Sequence, residues 1–297
     1  MELYKIVTDE KRIIVSNAIT SGSYDYSACM MDILFMILSI LKKEKDTYTI
    51  SAKEIETITG REWNYAQLTQ STELLGSRVF EIETPDTFDQ IWLFSSVRYL
   101  KGKGTFEVTL NEKAKYLFFE LKNNFTSLQL KSTLTCSSKY AKRIYGLACQ
   151  WQYKGEKTYE IRDLKKILGL IDRSGNEKLI KISDFQKRVL DIAKEQINAK
   201  TDMRMDYELH KEGRSFKWVT FKFSSREVEI QKFNSVLMKY GLSEIQSAIV
   251  SSKMDYEEFS KIVREILSKV SRGELSLIDS TEYLVKILRD RDILPKL

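Results

Sequence analysis

Apolar positions recur at three- and four-residue spacing over residues 24–43, where Met30, Ile33, Leu34, Ile37, Leu38 and Leu41 would line one side of a helix. Tyr48-Thr49-Ile50 then makes a short β-like step. Ser51-Ala52-Lys53-Glu54 has the spacing of a capping box, which predicts a short helix ending near Gly60. A further helix is predicted from about Asn64 to Leu75, stopped by Gly76. Residues 78–83, 90–100 and 105–110 are rich in β-branched and aromatic side chains, and Lys101-Gly102-Lys103-Gly104 between the last two reads as a turn. Helix, short strand, helix, helix and β-ribbon is the order of a winged helix, a helix-turn-helix variant.

The order recurs. Residues 138–153 form a helical pattern with Tyr140, Ala141, Ile144, Tyr145, Ala148 and Trp151 on one side. Tyr159-Glu160-Ile161 is a short strand, and residues 162–168 a short helix stopped by Gly169. Ser183-Asp184-Phe185-Gln186 repeats the capping-box spacing and opens a helix to about Asn198, with Phe185, Val189, Ile192, Ala193 and Ile197 as its buried stripe. Residues 203–209 and 216–223 alternate as strands around Lys211-Glu212-Gly213-Arg214. What repeats is element order, not residue identity. Beyond residue 225 strand signals cease: helices are predicted over 228–240, from Ser243, over 255–270 and over 280–289. The expected fold class is α+β, mainly helical, with a first winged-helix domain over 1–125, a second over 126–225, and a helical C-terminal region over 226–297.

With 42% hydrophobic and 30% charged residues in 297, the chain can bury a core. The longest apolar run, residues 29–41, is broken by Asp32 and Ser39 and falls short of the roughly 18–20 residues of a membrane span. The first residues lack the apolar core of a secretion signal, so a cytoplasmic location is expected. The net charge of +6 is unevenly placed. Residues 1–125 hold 15 basic and 18 acidic side chains, residues 126–225 hold 21 and 12, and residues 226–297 hold 12 of each. The middle block carries the whole excess, which suits a polyanion partner, nucleic acid before membrane. A lysine-rich solvated surface would give the same count.

Most catalytic chemistry is missing from the pattern. The one histidine, His210, excludes metal sites built on two or three histidines within one chain, and it falls where a strand runs into a turn. Cys29, Cys136 and Cys149 are widely spaced and read as small buried apolar residues, not as a disulfide or zinc framework. The only Gly-Lys pair, Gly102-Lys103, has Val97 where a phosphate-binding loop needs its first glycine. Acidic residues are spread as helix-surface charges, and nothing activates a tyrosine for strand cleavage. No catalytic residue, metal or cofactor is therefore assigned.

Candidate DNA contacts centre on the helix from Ser183. At 100° per residue, Asp184, Lys187, Arg188, Asp191 and Lys194 fall on the side away from the buried stripe that starts at Phe185. The N-terminal part of a recognition helix enters the major groove, so Lys187 and Arg188 are candidates for base edges. Ser183 and the first-turn amides suit a phosphate, with Lys178 and Lys181 adding charge just before them. Lys139, Lys142 and Arg143 flank the apolar stripe of the preceding helix as phosphate candidates, and Lys211, Arg214 and Lys217 surround the second hairpin. In the first domain, Asn64, Gln67, Gln70 and Ser71 are uncharged base-reading candidates, with Lys101 and Lys103 on its wing. That domain reads either as a weaker DNA binder or as a dimer surface.

These motifs carry a family resemblance. Phe125-Thr126-Ser127-Leu128-Gln129-Leu130 followed by Ser138-Lys139-Tyr140-Ala141-Lys142-Arg143-Ile144-Tyr145 resembles the signature of plasmid replication initiators that bind iterons, the initiator Rep family. Phe185-x-x-Arg188-Val189-Leu190, then Glu195-x-Ile197-Asn198-x-Lys200-Thr201-Asp202, is similar to that family's second recognition helix, and Gly102-Lys103-Gly104 fits its first wing. The resemblance spans about residues 10–225. Asp191-Ile192-Ala193 stands where the family commonly has a proline, and the N-terminal helix is unusually apolar. The resemblance implies two tandem winged helices on repeated double-stranded origin DNA, recruitment of host replication proteins, no nuclease or ATPase chemistry, and a homodimer through the first domain. Two other readings stay open on the residues: a winged-helix transcriptional regulator binding an operator as a dimer, and a DNA-nicking enzyme.

Overall fold

Buried apolar side chains of the computed structural model gather into two cores, and the chain divides into two compact units after Ser224. The structure describes residues 11–77, 79–83, 86, 88–119, 125–172, 174–276 and 278–295. Among them no helix is long and apolar enough to cross a membrane.

The first unit opens with β1 (Arg12–Ser16), α1 (Asn17–Thr20) and α2 (Ala28–Ile40). Ser27 caps α2 by accepting from the Met30 amide at 3.1 Å. A one-sided stripe was expected on this helix, yet Cys29 through Leu38 are all buried. The helix is central, touching β1, β2 (Thr47–Ser51), α4 (Tyr65–Ser77), α6 (Leu130–Thr135) and α7 (Lys139–Trp151). A helix that is apolar on all sides needs neighbours on all sides. Between β2 and α4 lies α3 (Ala52–Thr59), capped by Ser51 as its sequence predicts.

After α4 come the hairpin β3 (Val79–Glu83) and β4 (Phe88–Trp92), then β5 (Phe94–Leu100) and β6 (Thr105–Leu110). β2, β6 and β5 form an antiparallel sheet in the order β2-β6-β5, with Tyr48, Ile50, Phe106 and Val108 buried on its inner side. The β5–β6 turn, 101–104, is an exposed wing tip where Gly102 and Gly104 both take positive φ. A short helix α5 (Tyr116–Phe119) precedes β7 (Phe125–Gln129), which pairs antiparallel with β1 from Arg12↔Gln129 to Ser16↔Phe125. That pairing has no periodic signature, because two five-residue strands more than a hundred positions apart define each other only in three dimensions. β7 runs directly into α6 and α7.

After α7 the elements of the second winged helix follow: β8 (Glu156–Glu160), α8 (Ile161–Ile167), a helix from Ile182 to Lys200, and the hairpin β9 (Met203–Glu212) and β10 (Ser215–Ser225), in sheet order β8-β10-β9. Val219, Phe221 and Phe223 of β10 face its core. Two winged helices thus stand in tandem in an α+β chain, and their buried residues form one continuous core.

The loop before α2 meets the end of α8 closely. Gly169 has φ +69, and a Cβ there would lie 2.6 Å from the Tyr24 carbonyl oxygen. Gly169→Ala is expected to destabilise this unit by about 2–3 kcal/mol, combining left-handed strain with overpacking. Urea unfolding of the full chain measures it.

The second unit is all-helical: α11 (Arg226–Lys239), α12 (Glu244–Lys253), α13 (Tyr256–Ser271) and α14 (Ser280–Asp290). (The two α-helical parts of the 182–200 helix are α9, Ile182–Phe185, and α10, Asp191–Lys200.) Ser225, Ser243 and Asp255 cap its first three helices. Its core joins Phe233, Leu237, Val250, Phe259, Ile262, Leu284 and Leu288.

Candidate nucleic-acid interface

The 182–200 helix is built in three parts: α9 (Ile182–Phe185), a π turn (Gln186–Leu190) and α10 (Asp191–Lys200). Phe185, Val189, Ala193 and Ile197 are buried as their spacing predicts. Leu190 is fully buried as well. At 100° per residue it sits about 140° from Phe185, next to Ile197 at the edge of the buried stripe. The π turn accommodates an extra residue, so Val189 and Leu190 both enter the core while Lys187 and Arg188 stay exposed just before them. Asp191 is exposed and accepts from the Tyr207 hydroxyl, whereas Asp184 is half-buried. Lys194 pairs with Asp206 of β9 at 2.6 Å, and that ammonium holds the Asp206 carboxyl below its ordinary range.

The capping box expected at Ser183 does not form. The N-cap is Lys181, with extended backbone and no side-chain cap, and Ser183 is an exposed residue of the first turn. A preceding turn held elsewhere sets this start: the Leu179 carbonyl accepts from Lys165 of α8 at 2.8 Å. Lys181 is exposed beside Ser183. Lys178 is exposed too, but reaches Asp25 at 3.1 Å.

The three cations of α7 are the main correction. Lys142 is 1% exposed and Arg143 5% exposed, so neither offers its charge to a phosphate. The Lys142 ammonium pairs with Asp32 at 2.6 Å and donates to the Thr133 carbonyl at 2.6 Å. Asp32 also accepts from Arg61 at 2.9 Å and from the Trp63 indole at 3.2 Å. Arg143 donates to the carbonyls of Ile19 (3.0 Å), Gly22 and Ile167 (2.8 Å), with its guanidinium 3.7 Å from the Tyr24 ring centre. Cations can be buried this way because remote segments bring carbonyls and a carboxylate to them. The signal in the sequence was Asp32, one acid inside an apolar run. Lys139 is half-buried and pairs with Asp25 at 2.5 Å. Burial works against the Asp25 carboxylate, but Lys139 and Lys178 together hold its pKa below the ordinary value. These residues join the first winged helix to the second.

On the second hairpin, Arg214 is exposed at the turn and Lys211 lies 4.9 Å from the Phe216 ring centre. Lys217 pairs with Glu212 and lies over Trp218. His210 is exposed on β9, with Nε2 3.0 Å from Thr220 Oγ1. In the first winged helix, Asn64 and Gln67 cap α4 reciprocally, at 2.9 and 3.0 Å, and remain exposed with Gln70. Ser71 is buried towards Cys29 and is not a base reader. Lys101 and Lys103 are exposed on the first wing tip. All three cysteines are buried, and burial pushes the Cys29 and Cys136 thiols up to about 11 and Cys149 to about 12.

Residues 12–149 match the family model described as initiator replication protein, WH1, and residues 160–223 match initiator Rep protein, WH2. Among solved structures, the chain is similar to the Pi initiator protein, crystallised in complex with iteron DNA. The two share 20% identity at a TM-score of 0.62, over 74% of this chain and 100% of that one.

Proposed function

Because the chain belongs to the initiator replication protein family, matching both of its winged-helix domains, we propose that it initiates plasmid replication by binding repeated double-stranded sites at the origin. The observation that carries this reading is the exposed Lys187–Arg188 pair near the N-terminal end of the 182–200 helix, in a winged helix of the basic middle block. The relative crystallised on iteron DNA supports it by fold.

Residues 126–225 are the main reader. Lys187 and Arg188 take guanine acceptors in the major groove, while Lys181 and Ser183 lie against the flanking phosphate. Residues 1–125 add a second, uncharged reading helix through Asn64, Gln67 and Gln70, with Lys101 and Lys103 on the backbone. The same domain supplies a homodimer face. The helical region after residue 225 is left to host replication proteins, and the chain performs no chemistry of its own. It works in the cytoplasm, where plasmid DNA is.

Duplexes selected from a randomised pool by the full-length chain should carry a site of about 20 base pairs, two helical turns for two modules in successive major grooves. Arrays of direct repeats should bind one protomer per repeat in analytical ultracentrifugation. An inverted repeat occupied by a preformed dimer would return an operator-binding regulator instead.

Lys211 and Arg214 meet phosphate from the second wing. Changing both to Ala should weaken binding to every duplex alike and flatten the slope of log affinity against log salt by about 2, near 0.9 per phosphate released. Fluorescence anisotropy across a salt series reads this, and a loss confined to one sequence would contradict it.

A further inference from the structure

Ile180 is 75% exposed although its position calls for burial. It lies immediately before the N-cap Lys181, where an apolar side chain ordinarily packs on the fourth helical residue as a hydrophobic staple. That residue is Phe185, which is fully buried. Its ring is met instead by Lys165, whose ammonium lies 5.2 Å from the ring centre. Lys165 is itself 3% exposed, paired with Glu177 at 2.5 Å and donating to the Leu179 carbonyl at 2.8 Å. The lysine stem occupies the staple's seat. Leu179 has φ +54, a left-handed conformation that a leucine rarely takes. Its side chain packs against the core, and the reversed turn leaves Ile180 outside. A strained backbone residue fixed by its surroundings is a pattern found at functional sites.

We propose that Ile180 is a specificity contact that reads the C5-methyl group of a thymine in the major groove. The inference rests on the reading that the 182–200 helix enters that groove. Ile180 is next to the Lys181 cap of this helix, on the same end as Lys187 and Arg188, all exposed. That concentration of cations selects a polyanion over an apolar protein face or a second copy of this chain. The apolar group a polyanionic duplex offers in its major groove is the thymine methyl. A cationic rim with one aliphatic tip therefore matches a site with a thymine beside the guanines read by Lys187 and Arg188.

The test uses the full-length chain and a duplex selected by it from a random pool, with each thymine replaced in turn by deoxyuridine, which lacks only the methyl. The wild type should lose about fourfold in affinity at one position, the worth of one buried methyl-sized group. Ile180→Ala should lose a similar factor on the thymine duplex and show no further loss at that uridine, with its melting unchanged because the side chain is exposed. Three outcomes overturn the proposal: Ile180→Ala keeps the wild-type sensitivity at every position; it weakens selected and unselected duplexes equally, as a backbone contact would; or it changes only the sedimentation of the protein. Lys187→Ala with Arg188→Ala is the control. Unchanged affinity there removes the recognition-helix reading, whereas lost affinity there beside a silent Ile180→Ala removes this inference alone.

Discussion

Changing Lys187 and Arg188 together to Ala is expected to weaken binding to the selected duplex by about 2–6 kcal/mol, at least 30-fold, if each makes a good base contact. Both are exposed, so the change removes no packing. Alanine is also the best helix former, so the helix should not suffer locally. Affinity should fall while melting temperature stays put. The loss should be larger on the selected site than on random duplex, because phosphate contacts are shared by all sequences and base contacts are not. Unaltered affinity would take the 182–200 helix out of the groove.

The largest structural effect is expected at Asp32. Asp32→Ala should destabilise the winged-helix unit by about 3–5 kcal/mol, because it strands a buried cation. Lys142 would keep only carbonyl acceptors, and Arg61 would keep the Leu134 carbonyl, which it reaches at 2.7 Å, but lose Asp32. The pH dependence has a defined sign. Burial holds the Lys142 pKa below 10.5, and Asp32 pulls it back up. In Asp32→Asn that restoring charge is gone, and the folded-state pKa falls further. Below 10.5 the unfolded chain then holds more protons than the folded one over a wider window, so stability rises with pH through it. Urea titrations at about pH 7 and about pH 9.5 should show the variant regaining part of its loss at the higher value. A deficit that stays constant would mean Lys142 is not the stranded group.

Both winged helices were legible in the sequence because their helices are amphipathic and their hairpins carry glycine turns. β1 and β7 were not, since neither holds a pattern apart from the other. Lys142 and Arg143 look like surface cations beside an apolar stripe; only the fold shows the carbonyls of Ile19, Thr133 and Ile167 converging on them. Ser71 fails as a base reader for the same reason, because α2 covers the side of α4 on which it lies. Lys187 and Arg188 lie on the side away from the buried stripe by the 100° rule, and they stay exposed although the helix passes through a π turn there. Ile180 offered no signal, because an isoleucine before a helix is what a staple would use.

The β1–β7 pair bears on how the protein is made. β1 leaves the ribosome early, but its partner ends at Gln129, more than a hundred residues later. At about 5–20 residues per second, that is a wait of roughly 6–20 s during which the nascent first module cannot close its sheet. Asp32 waits about as long, until Lys142 is translated, before that counter-ion exists. Closure of the β1–β7 sheet and neutralisation of Asp32 thus fall within the same few codons, so translation speed across residues 125–142 sets when the first core can form.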